Sequence, residues 1–397
     1  MSDHYEVLVC GGGTAGLTVA AQLLLDVAAP SIGIIEPSDK HYYQPLWTLI
    51  GAGVFPKEDS EREEADFIPA GADWIRDAIA SFEPEQNAVV LKSGRRVTYD
   101  HLVVGLGLQI NWTAIPGLMD VLGKPGTGVC SNYSYDTVDA TWDAIRTFKG
   151  GRAIFTEPIT GVKCGGAPQK IMYLAEDYFR KHGIRDKCEV MFCNAKAKHF
   201  SCDHYTPTLL DICDKRDIKI NDRTELIEVR GGSKEAVFRH TETGEETVLR
   251  YDMMHVTPPM GPLDVVKQSP LGDEKGWVEV DKHSLRHVRH DNVFALGDCS
   301  NLPTSKTGAA IRKQAPTVVQ NILADRAGRP ATASYDGYTS CPVVTGYGRL
   351  VLAEFDYTKG PCESFPFDQN KERYSMYALK AYALPRIYWN GMLRGRF

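Results

Sequence analysis

YEVLVCGGGTAG, residues 5–16, is the stretch that decides the fold of this chain. Residues 5–10 are a short apolar run that reads as a strand. GGGTAG (11–16) follows, then an apolar stretch that reads as a buried helix to about Ala28, then SIGIIE (31–36) as a second strand. Gly11, Gly13 and Gly16 fit the GxGxxG spacing. The first two let the backbone turn and approach a pyrophosphate, and the third lets helix and strand pack closely. The helix N-terminus then faces the phosphates. Glu36 ends the second strand, placed to accept from a ribose hydroxyl. The unit predicts an adenine dinucleotide site.

Two later segments turn this expectation toward a flavin. VRHDNVFALGDCS (288–300) reads as a strand, then Gly297-Asp298, then a helix starting around Thr304. In flavoproteins with two dinucleotide domains, such a Gly-Asp pair bonds the ribityl and phosphate part of FAD. YDHLVVGLG (99–107) reads as the strand and glycine turn that close the first domain.

A second dinucleotide turn would follow the strand Arg152–Thr156. That turn reads EPITGVKCGGAP, with no glycine fingerprint in register, which argues against NADH as electron donor. It carries Cys164 instead, just before a helix that starts near Pro168. Lys163 and Lys170 are near in sequence. A helix dipole and adjacent cations favour the thiolate, the reactive form of cysteine. Cys341, in YDGYTSCPVVTGYGR, reads as lying in a loop before the strand Leu350–Asp356 and is the candidate second sulfur of a redox relay. Cys130, in GVCSNYS, is a third candidate. Cys10 and Cys299 flank the two cofactor motifs and read as packed beside the flavin. The remaining cysteines read as structural.

The 397 residues fit two or three domains. A formal charge of −6 argues against nucleic-acid binding. None of the ten cysteines forms a CxxC pair, so no metal site is expected. No run approaches the roughly 18 apolar residues that span a bilayer, and no cleavable leader is visible before the first strand. The acidic run EDSEREEAD (58–66) reads as a solvated surface segment. Within 185–260, GGSKE and ETGEE read as hairpin turns.

Residues 371–397 carry a net +5, against −11 for the rest. Tyr374, Tyr377, Tyr382, Tyr388, Trp389 and Phe397 are interleaved with the basic residues, on short helical pieces broken by Pro385. Such a tail suits a membrane interface and a lipophilic electron acceptor, with Lys380, Tyr377, Tyr382 and Trp389 on that side.

The chain as a whole resembles the sulfide:quinone oxidoreductases of the mitochondrial type, flavoproteins of the two-dinucleotide-binding-domain disulfide reductase superfamily. The carrying segments are EVLVCGGGTAG, HYYQPLWTLIGAG (41–53), VKCGGAPQKIMYLAEDYFRK (162–181), HVTPPM (255–260), GDCSNLPTSKTGAA (297–310), DGYTSCPVVTGY (336–347) and FPFDQNKERYSMY (365–377). The resemblance implies FAD as cofactor and ubiquinone or another quinone as acceptor. It implies Cys164 and Cys341 as the redox pair, with Cys164 on the flavin side and Cys341 carrying a persulfide. Sulfane sulfur then passes to a small acceptor: a thiol, sulfite or cyanide. Tyr43, Gln44 and Pro45 are expected near the flavin ring and Lys306 near its pyrimidine end. Lys170 and Lys380 are candidates to steer hydrosulfide or quinone by charge. Cys130 falls where bacterial relatives carry a cysteine that can tether the flavin.

The expected architecture is α/β: two Rossmann-like domains and a C-terminal amphipathic membrane-facing segment. Residues 1–115 and 285–345 form the FAD domain, 116–284 the second domain, and 346–397 the quinone and membrane segment. The expected location is a peripheral one, on the matrix side of the mitochondrial inner membrane or on a bacterial cytoplasmic membrane. A homo-oligomer is left open. The rival readings are a type II NADH:quinone oxidoreductase and a non-catalytic flavin–cysteine redox sensor.

Overall fold

The computed structural model describes residues 3–396. Strand His4–Cys10 is flanked in parallel by Ile32–Ile35 and Arg96–Val104, and Ala72–Ile75 extends the sheet beyond Ile32–Ile35. Val293–Ala295 adds in parallel to Arg96–Val104, although nearly 190 residues separate them. Val7–Cys10, Ile32–Ile35 and Leu102–Val104 at the centre of the sheet are buried at every position, the pattern of a parallel sheet covered on both faces. Helix Thr14–Leu23 packs on one side with helix Gly308–Arg326 against it. The first-domain sheet is thus built from both ends of the chain.

The second sheet is wholly parallel, in the order Val129–Cys130, Met253–His255, Gly151–Glu157, Cys188–Asn194, Ile218–Asp222. An antiparallel three-stranded sheet, Thr224–Arg230, Glu235–His240 and Glu246–Arg250, is inserted beside it, with its turns at the two anticipated hairpin sequences. The α/β architecture with two Rossmann-like units is as expected.

Several local expectations change. The first helix ends at Leu23 rather than near Ala28. Leu25 and Val27 beyond it are exposed, so no core holds further turns in place. The helix after Gly297-Asp298 starts at Gly308, capped by the Thr307 hydroxyl, not at Thr304. The acidic run is only partly solvated: Ser60 and Glu64 are buried, because Glu61–Glu63 pairs as a strand with Lys40–Tyr42 and turns Glu64 onto His41. Cys341 lies within strand Thr339–Gly346, not in a loop, and that strand forms a hairpin with Arg349–Phe355. The hairpin runs across the expected 345/346 boundary.

The tail changes most. Tyr374–Ala378, Leu379–Ala383 and Leu384–Asn390 form one uninterrupted helical run whose middle piece is a π-turn. Pro385 lacks the N–H its predecessor turn would use, and the wider turn absorbs the mismatch instead of breaking the helix. Tyr377, Lys380 and Trp389 are buried. The Trp389 ring packs 4.9 Å from Phe67, and the Tyr388 hydroxyl reaches Thr14 Oγ1 at 2.8 Å and His41 Nε2 at 2.5 Å. Only Tyr374 and Tyr382 of the tail tyrosines are exposed. Phe397 lies outside the described residues.

Candidate active site: a thiol pair beside a dinucleotide cradle

Three separate pieces of chain converge on Cys164. Its backbone N–H donates to Lys306 O at 2.8 Å, which ties the cysteine turn to the loop after Gly297-Asp298. Its carbonyl accepts from Ala167 N, in the first turn of helix Ala167–Lys181. Cys164 itself has φ = 56°, the left-handed region that non-glycine residues enter rarely and at a cost. Its Sγ lies 3.6 Å from Cys341 Sγ. Gly166 makes this approach possible: a Cβ there would run into Cys341 Sγ. The hairpin carrying Cys341 is fixed on the same helix by Asp177, which accepts from Tyr347 N at 2.8 Å.

Lys170, one turn into that helix and 3% exposed, places Nζ 3.0 Å from Cys164 Sγ. Cys341 is 2% exposed and Lys380 6%. Lys380 donates to Pro45 O at 3.0 Å and its charge bears on both thiols. The hydrogen bond from Cys341 holds Cys164 well below the ordinary thiol range, and the Lys170 ammonium adds to this against the opposing effect of burial. The same bond, with burial, pushes Cys341 well above it. The pair therefore shares one proton, carried by Cys341, and Cys164 is the thiolate. Burial opposes charge on Lys170, but the neighbouring thiols overcome it and raise its pKa. Burial and the repulsion of Lys170 bring Lys380 down to about 7. One full positive charge and one titrating at neutral pH thus face the thiolate.

The cradle beside the pair suits a dinucleotide. A Cβ on Gly13 would meet nothing within 4 Å, while one on Gly11 would come within 2.7 Å of Gly105 O and one on Gly16 would strike Gly11 O. Helix Thr14–Leu23 starts with no side-chain cap, leaving its first N–H groups free for phosphate. Glu36 accepts from Gly12 N at 2.8 Å at the end of its strand. Asp298 is desolvated, which raises its pKa against the pull of Lys306 and Lys163. Burial lowers Lys306, and brings Lys163 down to about 8. Lys306 donates to Asp298 O at 2.7 Å. Gly165, beside Cys164, also has open space around it. These residues fit a flavin dinucleotide running from Gly13 toward Cys164. No comparable cradle follows strand Gly151–Glu157, where helix Ala167–Lys181 begins ten residues later and Glu157 is paired with Lys196.

Of the residues anticipated near the ring, Gln44 accepts from Lys163 Nζ at 2.7 Å, Pro45 accepts from Lys380, and Tyr43 is buried 4.5 Å from the Tyr388 ring. Cys130 is buried in strand Val129–Cys130, its thiol pushed up to about 12 by desolvation, the opposite of an activated nucleophile. Cys10 and Cys299 are buried together in the first domain, with Cys299 donating to Val104 O. Sequence reasoning missed Tyr133, which packs with Cys164 in a small buried cluster, and Phe200, against the Gly166–Cys341 approach. Neither carries a local pattern that marks it.

A dinucleotide cradle built from both chain ends, a second Rossmann unit without a nicotinamide turn, and a close thiol pair between them define a flavoprotein oxidoreductase of the disulfide-reductase type. No family model matches the chain. Over 395 residues it is 52% identical to the mitochondrial sulfide:quinone oxidoreductase of Dictyostelium discoideum, spanning 99% of this chain and 86% of that one. It is 48% identical over 394 residues to the mouse protein of the same name, spanning 99% and 87%. The fold matches the sulfide:quinone oxidoreductase of Aquifex aeolicus with a TM-score of 0.85 at 18% identity, covering 99% and 92% of the two chains. The chain belongs to the sulfide:quinone oxidoreductase family.

Proposed function

We propose that this protein oxidises hydrogen sulfide at the Cys164–Cys341 pair and delivers two electrons through FAD to a quinone. The observation that carries the reading is the 3.6 Å thiol contact with Lys170 Nζ 3.0 Å from Cys164. In the oxidised pair, hydrosulfide attacks Cys341 Sγ. The Cys341–Cys164 bond breaks, its electron pair stays on Cys164, and a persulfide is left on Cys341. Lys170 stabilises the thiolate as it forms, and the Lys380 ammonium, when protonated, draws the hydrosulfide anion inward. The sulfane sulfur then leaves to a thiol, sulfite or cyanide.

Residues 1–115 and 285–345 form the FAD domain in this reading. Gly11, Gly13 and Gly16 hold the pyrophosphate, Glu36 the ribose, and Gly297, Asp298 and Lys306 the ribityl and pyrimidine side. Tyr43, Gln44 and Pro45 face the ring. Bound FAD supplies a two-electron carrier between Cys164 and the quinone, ubiquinone in a mitochondrial setting. We place the protein peripherally on the mitochondrial inner membrane, matrix side, with exposed Tyr374 and Tyr382 toward the lipid. Among the described residues no helix is long and apolar enough to cross a membrane.

The test is Cys164→Ser. The variant should keep FAD but lose flavin bleaching by sulfide; normal turnover would end the thiol-relay reading. Bleaching by NADH would favour the nicotinamide-linked rival, and failure of the wild type to turn over quinone would favour the sensor.

A further inference from the structure

A helix start that faces phosphate leaves its first N–H groups to the ligand, so the turn before it is held in shape by other contacts. In this chain those contacts come from the far end of the sequence. Thr14 is the first residue of helix Thr14–Leu23, and its Oγ1 lies 2.8 Å from Tyr388 Oη. Tyr388 Oη lies 2.5 Å from His41 Nε2, and His41 Nδ1 lies 3.0 Å from Glu64 Oε2. His41, Glu64 and Tyr388 are all buried, and burial holds the Tyr388 phenol well above its ordinary range, so it stays protonated. The direction of the bonds follows from the groups. A carboxylate only accepts, so His41 Nδ1 donates to Glu64. In the neutral ring Nε2 then accepts from Tyr388, and the Tyr388 oxygen accepts from the Thr14 hydroxyl. Glu64 closes the loop: its other oxygen has no hydrogen-bond partner and lies against the glycine turn, where a Cβ on Gly12 would strike it.

The helical run 374–390 that carries Tyr388 touches the cradle at both ends. Lys380 donates to Pro45 O at 3.0 Å, and the Tyr388 ring packs 4.5 Å from Tyr43, in the segment assigned above to the flavin ring. The Tyr388 hydroxyl reaches Thr14 at the pyrophosphate turn. Trp389 closes the remaining side, its ring 4.9 Å from Phe67 and 5.6 Å from His41. Beyond the run, Met392 and Leu393 are buried, and Gly395 lies against the backbone of Ala21 in the fingerprint helix. The tail thus runs along the cradle from the ring segment to the phosphate turn.

We propose that the C-terminal tail is a strap that retains FAD: Tyr388, bonded to Thr14 on one side and to His41 and Glu64 on the other, holds the pyrophosphate turn in its binding shape. These are positioning residues, and the inference rests on the FAD reading above. Two sites that bias one structural element are coupled, and the coupling is reciprocal. A docked tail slows FAD release, and bound FAD holds the tail down. The flavin and the tail are then assembled as one unit.

The experiment uses the holoenzyme. FAD release after dilution is followed by flavin fluorescence in the wild type, Tyr388→Phe, Thr14→Val and the double variant. Phenylalanine keeps the ring against Tyr43 and removes only the hydroxyl. Leaving a buried partner unpaired shifts an equilibrium by about tenfold or more, so each single variant should release FAD about tenfold faster. The double variant should release it no faster than the faster single variant, because both changes remove one contact. In parallel, trypsin cleavage after Arg386 is timed with FAD bound and after its removal. Bound FAD should protect the wild type by about tenfold, and Tyr388→Phe far less. Wild-type release rates in both single variants would overturn the strap. So would effects that multiply in the double variant with FAD protection unchanged, since Tyr388 would then only pack. Should Tyr388→Phe fold poorly, Thr14→Val and the wild-type cleavage carry the test, and equal cleavage with and without FAD would overturn it. A wild type that binds no FAD would end the FAD reading itself, a result distinct from one that binds FAD and releases it at the same rate in every variant.

Discussion

Replacing Lys170 by methionine removes the one full positive charge in contact with Cys164 while keeping much of the buried stem. Hydrogen bonds to a charged group contribute about 1.5–3 kcal/mol net, and one pKa unit corresponds to about 1.4 kcal/mol. Lys170→Met should therefore destabilise the Cys164 thiolate by about 1.5–3 kcal/mol and move its titration upward. The direct Cys341 contact stays, so Cys164 should remain the lower of the two thiols. Lys380 complicates the result in a defined way. It is held near 7 by burial and then by Lys170, so removing Lys170 should raise it and supply part of the missing charge. The double variant Lys170→Met/Lys380→Met should then lose more than the two single losses added together, as expected for groups sharing one partner. The assay is the pH dependence of Cys164 alkylation by iodoacetamide, with the labelled peptide identified by mass. An unchanged midpoint in Lys170→Met, or strict additivity in the double variant, would refute the electrostatic account of the thiolate.

Gly166→Ala places a methyl group where Cys341 Sγ sits; sulfide-driven flavin reduction should fall at least a hundredfold with FAD retained, measured by anaerobic absorbance. Cys130→Ser should leave that reduction within about twofold of wild type, because a thiol pushed up to about 12 by burial is not a nucleophile at neutral pH; flavin should also remain extractable from the wild type by acid. His255, His199 and His287 are lowered by burial to about 3, 4 and 4, from 6.5 when unfolded. The unfolded chain then binds more protons below pH 6.5, so stability present above that value is lost as pH falls toward 4. Thermal unfolding followed from pH 7.5 to 4.5 should show this decline, and a flat midpoint would contradict it.

The cofactor half of this fold was legible because each motif has a local cause. Gly11 and Gly16 are required by backbone contacts across one turn, and Val293–Ala295 with Gly297 repeats the strand–turn signal. Cys164 was legible for the same reason: a cysteine, two lysines and a helix start lie within nine residues. Cys341 was seen as a candidate but placed in a loop, because Pro342 and the flanking glycines suggest one. Its strand exists through pairing with Arg349–Phe355 and packing on helix Ala167–Lys181. The packing of the tail was hidden for a related reason. Tyr and Trp beside basic residues suit a membrane, yet Tyr388 and Trp389 find His41, Thr14 and Phe67 more than 300 residues earlier. Such contacts leave no periodicity. Tyr133 and its neighbours were invisible in the sequence, since only three-dimensional proximity groups them.

The most direct test of the central claim is the anaerobic flavin spectrum during stepwise sulfide addition, followed by a short-chain quinone, in the wild type and in Cys164→Ser. The account predicts bleaching of the wild-type flavin by sulfide, recovery on adding quinone, and no response in the variant. Bleaching by NADH with indifference to sulfide, or an equal sulfide response in both proteins, would contradict it.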